Sequence, residues 1–338
     1  MPGTANHDAL SGNEEHTVMQ VATDPKPLIL PPPLVPGNTI GLFCPAGPVR
    51  DQAAVKAGIA WLRQQGFRVK TCRDLGQTGP DTPYLAGPDR DRAKEIHRLW
   101  RDPDVKALWA VRGGFGCLRL LDLLDFDLFR QHPKLVIGFS DVTALLAALF
   151  SRAGIMGIHG PALTTICHTE THCLEALRGI VHGNYMIVTG RKCRCVRPGT
   201  ARGNLIVANL TTLTHLLATP WEPDLRGAIL VLEDTGESLY RIDRMLTQLS
   251  LAGRLDTLAG LILARFDHAP DRIFSQAEQD SLARRALTLT SQAGCPVWSG
   301  FPAGHGRDNH ALPFGMEASM GNDTVLGLHP PGTERHER

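Results

Sequence analysis

The sequence has no excess of charge of either sign. Thirty-five lysine and arginine residues stand against 34 aspartate and glutamate residues, which leaves a formal charge of +1 over 338 residues. No basic stripe or block of like charge interrupts this balance. Because binding to nucleic acid or to a membrane surface usually needs such a feature, we expect neither as a partner.

Long hydrophobic runs are also missing. No apolar stretch approaches the roughly 20 residues that a helix needs to cross a bilayer. Residues 1–27 are polar and acidic, where a secretory signal would have a basic start followed by an apolar segment. We therefore expect a soluble, cytoplasmic protein.

Cysteine is too sparse for a disulfide framework, with eight residues in the whole chain, and in the cytosol these would be reduced. One segment nevertheless carries zinc-type ligands, namely Cys167, His168, His172, Cys173, Cys193 and Cys195. Their spacing, C-H-x3-H-C followed by C-x-C, matches none of the usual zinc frameworks. We therefore predict no metal in this segment and no cofactor for the protein.

From Asn38 onward, short apolar runs alternate with amphipathic segments. The pattern predicts strands at 38–44, 67–72, 105–111 and 135–139, and helices at 51–66, 89–102 and 144–154. Such alternation is typical of a parallel sheet with helices on both faces. Functional residues in these sheets gather at the carboxyl ends of the strands, where this sequence has the loops CPAGP, RGGFG and GFSD.

The regular alternation lapses around 165–200, and we place the change of domain there. The predicted organisation is a flexible tail (1–36), an N-terminal domain (37–165), a linker region (166–200) and a C-terminal domain (201–330). In the last of these we predict a helix at 204–218, a strand at 227–234, a helix at 238–253, a strand at 258–264, a helix at 275–292 and short strands after Pro296.

Ser140 stands between an apolar strand and an apolar helix. A nucleophile on such a sharp turn projects its hydroxyl outward, beside backbone N–H groups that can stabilise an oxyanion. Helix capping by Ser140 or Asp141 explains the same residues. The elbow pattern G-x-S-x-G is not met, because Val142 replaces the second glycine.

The RGGFG loop also follows a predicted strand. It is not a dinucleotide fingerprint, because Arg119 takes the place of the third glycine, and it has no P-loop lysine. Its glycines either let backbone approach a ligand or an oxyanion, or form a simple tight turn.

Two further residues complete a possible catalytic set. Glu233 ends an apolar strand, and His305 lies in the glycine-flanked stretch GHGRDNH. Each is a common feature alone, but with Ser140 they supply an acid, a base and a nucleophile. A triad is defined by geometry, so the sequence leaves open whether the three side chains meet.

Several ordered blocks together resemble the LD-carboxypeptidase (muramoyl-tetrapeptide carboxypeptidase) family of serine peptidases over about residues 38–328. The blocks are AVRGGFG (110–116) followed by LRL (118–120), GFSDVT (138–143), HGP (159–161), GNL (203–205), TPW (219–221), LED (232–234), YRIDRML (240–246) and GH (304–305).

This resemblance implies a flavodoxin-like N-terminal domain and a smaller, β-rich, swivelling C-terminal domain, in a homodimer that needs no metal. It implies Ser140 as nucleophile, His305 as general base and Glu233 as the acid that orients it. The implied substrate is a cytoplasmic murein tetrapeptide that loses its terminal D-alanine. By position alone, the N–H groups of Asp141 and Gly114 are candidates for the oxyanion hole, and Arg112 is a candidate for binding the substrate carboxylate.

Two alternatives stay open. A microcin C immunity-type peptidase, acting on a peptidyl or aminoacyl nucleotide, would keep the same triad and differ in the loops that line the pocket. A non-catalytic binding protein with a cleft between two domains would need no triad, so the presence of all three residue types argues against it.

Overall fold

The computed structural model describes residues 26–75, 78, 82–185, 187–190, 193–269 and 272–332. No helix within these residues is both long and apolar enough to cross a membrane.

The first half of the described chain alternates strands with helices. The strands are β1 (Thr39–Phe43), β2 (Arg68–Thr71), β3 (Val105–Ala110), β4 (Leu135–Gly138) and β5 (Gly157–His159). The α-helices are α1 (Gln52–Gln64), α2 (Asp89–Arg101), α3 (Phe126–Gln131), α4 (Thr143–Ala148) and α5 (Thr171–Val181). Short 3₁₀ segments lie at Leu118–Leu123, Ser140–Val142 and Leu163–His168, and α4 continues into a π-helical turn at Leu149–Ala153.

The second half is richer in strands. These are β6 (Val188–Thr189), β7 (Arg194–Arg197), β8 (Ala201–Asn209), β9 (Ile229–Thr235), β10 (Gly260–Ala269), β11 (Arg272–Ile273), β12 (Val297–Ser299), β13 (Leu312–Phe314), β14 (Glu317–Met320) and β15 (Val325–His329). Its helices are α6 (Leu210–Thr214), α7 (Leu239–Leu251) and α8 (Gln276–Leu289).

Strands β1–β5 form a parallel sheet in the order β2-β1-β3-β4-β5. This is the flavodoxin-like order of doubly wound folds. A sixth strand, β13, comes from near the end of the chain and pairs antiparallel with β5. The central strands are buried on both faces, and for this reason they read as near-continuous apolar runs.

The remaining strands form a second sheet in the order β6-β15-β14-β8-β9-β10-β12-β7, with β11 paired to β10. Its centre, β8-β9-β10-β12, is parallel, and the flanking pairs are antiparallel. The predicted fold class, a flavodoxin-like N-terminal part with a β-rich C-terminal part, is confirmed.

Two buried apolar clusters each contain residues of both halves. Leu145 and Leu149 of the N-terminal half belong to the same buried cluster as Ile206 and Leu230 of the C-terminal half. A shared core fixes the two sheets against each other. It therefore fixes the residues at the ends of β4 and β9, which face each other across the cleft described below.

The helix predicted at 204–218 is wrong over its first half. Residues up to Asn209 continue β8, and only Leu210–Thr214 are helical. Leu205, Ile206 and Val207 are fully buried and pair with β9, and the preceding residues of β8 pair with β14. A buried apolar run of this length fits a strand or a buried helix equally well, so its periodicity could not decide between them.

The predicted tail at 1–36 must also be corrected. Residues 1–25 lie outside the described residues, but residues 26–36 pack on the fold. Ile29 N–H donates to the Gly154 carbonyl at 2.7 Å, and Leu34 N–H donates to the Val181 carbonyl at 2.7 Å. The Leu34 side chain is buried. The apolar residues between the prolines explain this contact, because they lose water-exposed surface by docking.

Candidate active site

Ser140 follows β4 directly and begins the 3₁₀ segment that leads into α4. Its φ is +63°, a left-handed value that residues with a Cβ seldom adopt. Such strain is typical of the turn that carries a nucleophile between a strand and a helix. The hydroxyl caps no helix, because the 3₁₀ segment and α4 both begin without a side-chain cap.

The RGGFG loop lies against this turn. A Cβ added to Gly113 would lie 2.9 Å from the Ser140 Cβ, so only glycine fits at this point. The buried Asp141 carboxylate accepts a hydrogen bond of 2.8 Å from Cys117 N–H and thereby ties the end of the loop to the Ser140 turn. This contact replaces the capping role that the sequence left open for Asp141.

Glu233 and His305 meet at the carboxyl end of the second sheet. Glu233 lies near the end of β9 and is fully buried, and His305 lies in the loop between β12 and β13. The His305 Nδ1 and the Glu233 Oε2 are 2.7 Å apart. The preceding Gly304 has a φ of +107°, and a Cβ there would lie 2.6 Å from the Glu233 Oε2. A glycine is therefore needed for the close approach.

The two groups stabilise each other's charge. Burial alone would lower the pKa of His305, but the adjacent Glu233 carboxylate outweighs it, so the pKa lies above the usual 6.5. Burial would likewise raise the pKa of Glu233, yet attraction to His305 and their hydrogen bond bring it below 4.5. Glu233 is therefore ionised at neutral pH, and it favours a proton on His305.

A second histidine lies behind this pair. His159, at the end of β5, is fully buried, and its Nε2 is 3.9 Å from the Glu233 Oε1. Burial lowers the pKa of His159 to about 4, although the Glu233 charge acts in the opposite direction. His159 is therefore neutral at pH 7 and adds no competing charge to the Glu233–His305 pair.

Two cavities open on either side of Ser140. The first, of about 280 Å³, has Arg50, Arg112 and Thr164 in its wall. The second, of about 410 Å³, has Asn209, Asp234 and Glu237 in its wall. Four residues line both: Arg112, Gly114, Ser140 and His305.

Arg112 bonds to backbone and not to an acid. Its Nη1 donates to the Pro48 carbonyl at 2.8 Å, and within the described part of the chain it forms no ion pair with a carboxylate. Burial, followed by the nearby Arg50 charge, lowers the pKa of Arg112 below its usual value. A guanidinium in this setting offers free donors to an anion in the cavity.

The structure therefore brings most of the predicted residues to one cleft. Ser140, His305, Arg112 and Gly114 line it, Asp141 lines the second cavity, and Glu233 supports His305 from the interior. Sequence reasoning overlooked Arg50 and the role of His159. Two signals could have indicated His159: it belongs to the HGP block of the family resemblance, and it lies at the end of a strand in a parallel sheet.

Comparison with known proteins agrees with this architecture. A family model for the LD-carboxypeptidase N-terminal domain matches residues 40–160, and a model for the LD-carboxypeptidase C-terminal domain matches residues 202–320. The fold and cleft are those of a peptidase, a class of hydrolase. The chain belongs to the LD-carboxypeptidase family.

Individual relatives match nearly the whole chain. A putative carboxypeptidase of Synechocystis sp. is 38% identical over 302 residues, covering 88% of this chain and 96% of the relative. A probable murein peptide carboxypeptidase of Bacillus subtilis is 35% identical, covering 86% and 91%. Among solved structures, the microcin C7 self-immunity protein MccF in complex with glutamyl sulfamoyl guanosine superposes with a TM-score of 0.79 at 26% identity, covering 90% and 99%.

Proposed function

We propose that this protein is a serine-type LD-carboxypeptidase that removes the terminal D-alanine from murein tetrapeptides during cytoplasmic cell-wall recycling. The observation that carries the proposal is that Ser140, in its strained conformation, and His305 line the same two cavities. Glu233 holds His305 in place, with 2.7 Å between the Glu233 Oε2 and the His305 Nδ1.

The proposed chemistry is acyl transfer. The Ser140 Oγ attacks the scissile carbonyl carbon while its proton passes to the His305 Nε2. Glu233, bonded to Nδ1, keeps the imidazole in the tautomer that leaves Nε2 free to accept. The N–H groups of Asp141 and Gly114 stabilise the negative oxygen.

Collapse of the intermediate breaks the amide bond. The amine of the leaving D-alanine takes the proton from His305, and the rest of the peptide stays bound to Ser140 as an ester. A water molecule then attacks the ester, and His305 accepts its proton. As the ester C–O bond breaks, His305 donates this proton to the Ser140 Oγ, which regenerates the serine and leaves a free carboxylate on the product.

The charges of the two cavities suit a carboxypeptidase substrate. A terminal residue with a free carboxylate fits the first cavity, where Arg50 and Arg112 outnumber the one acidic residue of the wall, Asp51, because arginine binds carboxylates through paired hydrogen bonds. The body of the peptide then extends into the cavity with Asp234 and Glu237, where a cationic amine would find acidic partners. Ser140 stands between them, at the bond to be cut.

A direct assay tests the proposal. We expect the purified protein to release D-alanine from a murein tetrapeptide, and to leave unchanged a matched peptide that ends in L-alanine. Chromatography of the products with chiral analysis of the free amino acid measures both reactions. Equal release from the two peptides, or from neither, would contradict the proposed specificity.

A second candidate function follows from the structural similarity to MccF, whose solved complex contains glutamyl sulfamoyl guanosine. A microcin C immunity-type peptidase would cut an aminoacyl sulfamoyl nucleoside at the same serine. The same assay with glutamyl sulfamoyl guanosine separates the two. Cleavage of this compound, with no release of D-alanine from the tetrapeptide, would favour the second function.

We expect Arg112→Lys to lower kcat/KM for the tetrapeptide, with a loss of transition-state stabilisation of roughly 1–3 kcal/mol. The reason is that lysine cannot form the paired hydrogen bonds of arginine. The melting temperature should change little, because Arg112 forms no ion pair within the described residues. Amidation of the terminal D-alanine of the substrate should lower kcat/KM of the parent enzyme by a similar amount and kcat/KM of the variant by much less.

Arg119→Lys is the matched control, because Arg119 follows the same loop but pairs with Asp89 outside both cavities. It should leave kcat/KM unchanged. Equal losses from amidation in the parent and the Arg112→Lys protein would show that Arg112 does not bind the carboxylate.

The proposal includes a homodimeric state, which the family resemblance implies. Analytical ultracentrifugation of the purified protein measures it directly, and a single species with the mass of one chain would exclude the dimer.

A further inference from the structure

A second cluster of reactive side chains lies outside the cleft. His172 and Cys173 begin helix α5, and Asp308 and His310 lie in the loop that carries His305. One ligand atom from each of these four residues falls within 4.8 Å of all the others. We call this set the loop–helix cluster.

The distances resemble those between the ligands of a tetrahedral metal. The Asp308 Oδ1 is 3.1 Å from the His172 Nε2, 3.2 Å from the Cys173 Sγ and 3.8 Å from the His310 Nε2. The Cys173 Sγ is 3.5 Å from the His172 Nε2. Metal–ligand bonds of about 2.0–2.3 Å in a tetrahedron place the ligand atoms roughly 3.3–3.7 Å apart.

We propose that His172, Cys173, Asp308 and His310 form a binding site for one zinc ion or a similar divalent transition metal. Two imidazoles, one thiolate and one carboxylate are the donor types that zinc accepts in a four-coordinate site. On binding, the Cys173 thiol releases its proton to solvent, and the sulfur bonds to the metal as thiolate.

The burial of the cluster suits such a site. Cys173 is fully buried, whereas the side chains of His172 and Asp308 are 53% and 44% exposed. A metal can therefore arrive from solvent on one side and meet a sulfur held in place on the other. The spacing of cysteine and histidine within 167–195 predicted no metal, because two of the four ligands, Asp308 and His310, lie outside that segment. Asp308 lies 135 residues after Cys173.

The backbone around the cluster is already held. Glu170 N–H donates to the Arg307 carbonyl at 2.9 Å, and the two side chains form an ion pair at 3.0 Å. His310 N–H donates to the Pro302 carbonyl at 2.9 Å. Because the ligands are positioned before the metal binds, little conformational freedom would be lost on binding.

The site has a consequence for catalysis. Asp308 and His310 lie three and five residues after His305, so a metal would fasten the loop that carries His305 to helix α5 of the N-terminal half. The metal takes no part in the acyl transfer. It holds the loop in place, and the proposal does not depend on which substrate the cleft accepts.

Cobalt(II) is the probe for this site, added alone to the full-length, reduced protein after dialysis against a chelator. We expect one equivalent to bind, with a thiolate-to-cobalt charge-transfer band and visible bands of tetrahedral intensity. Zinc should displace the cobalt and abolish these bands, since zinc binds the same donors more tightly.

Cys173→Ser should abolish the charge-transfer band, and Asp308→Asn should weaken cobalt binding at least about tenfold. Cys167→Ser is the matched control, because Cys167 is exposed in the same segment and outside the cluster. It should bind as the parent does. Asp308→Asn changes an accessible side chain, so it serves as the test if Cys173→Ser does not fold.

Hydrogen exchange measures the effect on the loop. Zinc should slow the exchange of amides 303–311 in the parent and in Cys167→Ser, and leave it unchanged in Cys173→Ser. The proposal is overturned if no band appears, if Cys173→Ser keeps the band, or if zinc leaves the exchange of the parent unchanged. None of these readouts involves catalysis, so their failure is distinct from failure of the proposed function.

Discussion

Ser140→Ala should abolish hydrolysis, with a loss of roughly 10⁴–10⁶-fold in kcat, while the protein still folds. The loss is large because the Ser140 hydroxyl is the nucleophile of the proposed mechanism, and an alanine side chain cannot form the acyl ester. Folding should be retained because alanine keeps the Cβ of serine, so the strain at a φ of +63° is the same in both proteins. Initial rates with the tetrapeptide, and thermal unfolding of both proteins, measure the two effects.

Ser151→Ala is the control for loss of a hydroxyl in the same chain segment. The Ser151 Oγ donates to the Ala147 carbonyl at 2.8 Å, away from the cleft. Its removal should cost about 1 kcal/mol of stability and leave the rate unchanged. Near-native turnover by Ser140→Ala would remove Ser140 from the mechanism, and equal losses in both variants would point to a folding defect.

Glu233→Gln should lower kcat by roughly 10³–10⁴-fold and shift the pH dependence. The neutral imidazole is the active base, so the rate of the parent should rise with pH through a pKa above 6.5, the direction set by the Glu233 charge. In the variant, burial remains and the attraction to Glu233 is gone, while the weaker attraction to Asp234 and Asp267 stays, so the pKa of His305 should fall relative to the parent. The rising limb of the profile therefore moves to lower pH.

The rate falls although more of the imidazole is neutral. A glutamine amide can donate to Nδ1 and so leave the proton on Nε2, the nitrogen that must accept it from Ser140. Glu237→Gln is the matched control, because Glu237 lines the second cavity and pairs with Arg241 without contacting His305. The rising limb of its pH–rate profile should lie at the same pH as that of the parent. An unshifted limb in Glu233→Gln would show that Glu233 does not set the pKa of His305.

The first sheet was predictable because its strands and helices are each indicated by a pattern of residues that are neighbours in the sequence. Buried parallel strands such as β3 and β4 are continuous apolar runs, and amphipathic helices such as α1 separate them. The segment at 204–218 was not, because a buried strand followed by a short helix has the same apolar composition as one helix. Only the pairing of β8 with β9 and β14 distinguishes them.

The candidate active site was likewise predictable only in part. Motifs at strand ends indicated Ser140 and Glu233, and the family resemblance supplied their roles, but the 2.7 Å contact between Glu233 and His305 joins residues 72 positions apart. The strain at Ser140 and the position of His159 behind Glu233 depend on how the strands pack. The loop–helix cluster depends on contacts between distant segments as well, so no local spacing could have indicated it.

Because β13 pairs with β5, the first sheet contains strands from both the N-terminal and the C-terminal half of the chain. A fragment that stops in the region between the two halves would keep β1–β5 and lose the strand that covers β5. The uncovered backbone of β5 would then be open to pairing with another copy, which is a common route to aggregation. Nascent chains pass through this state during synthesis, because β13 is made more than 150 residues after β5. The N-terminal half therefore completes its sheet only after β13 has been made.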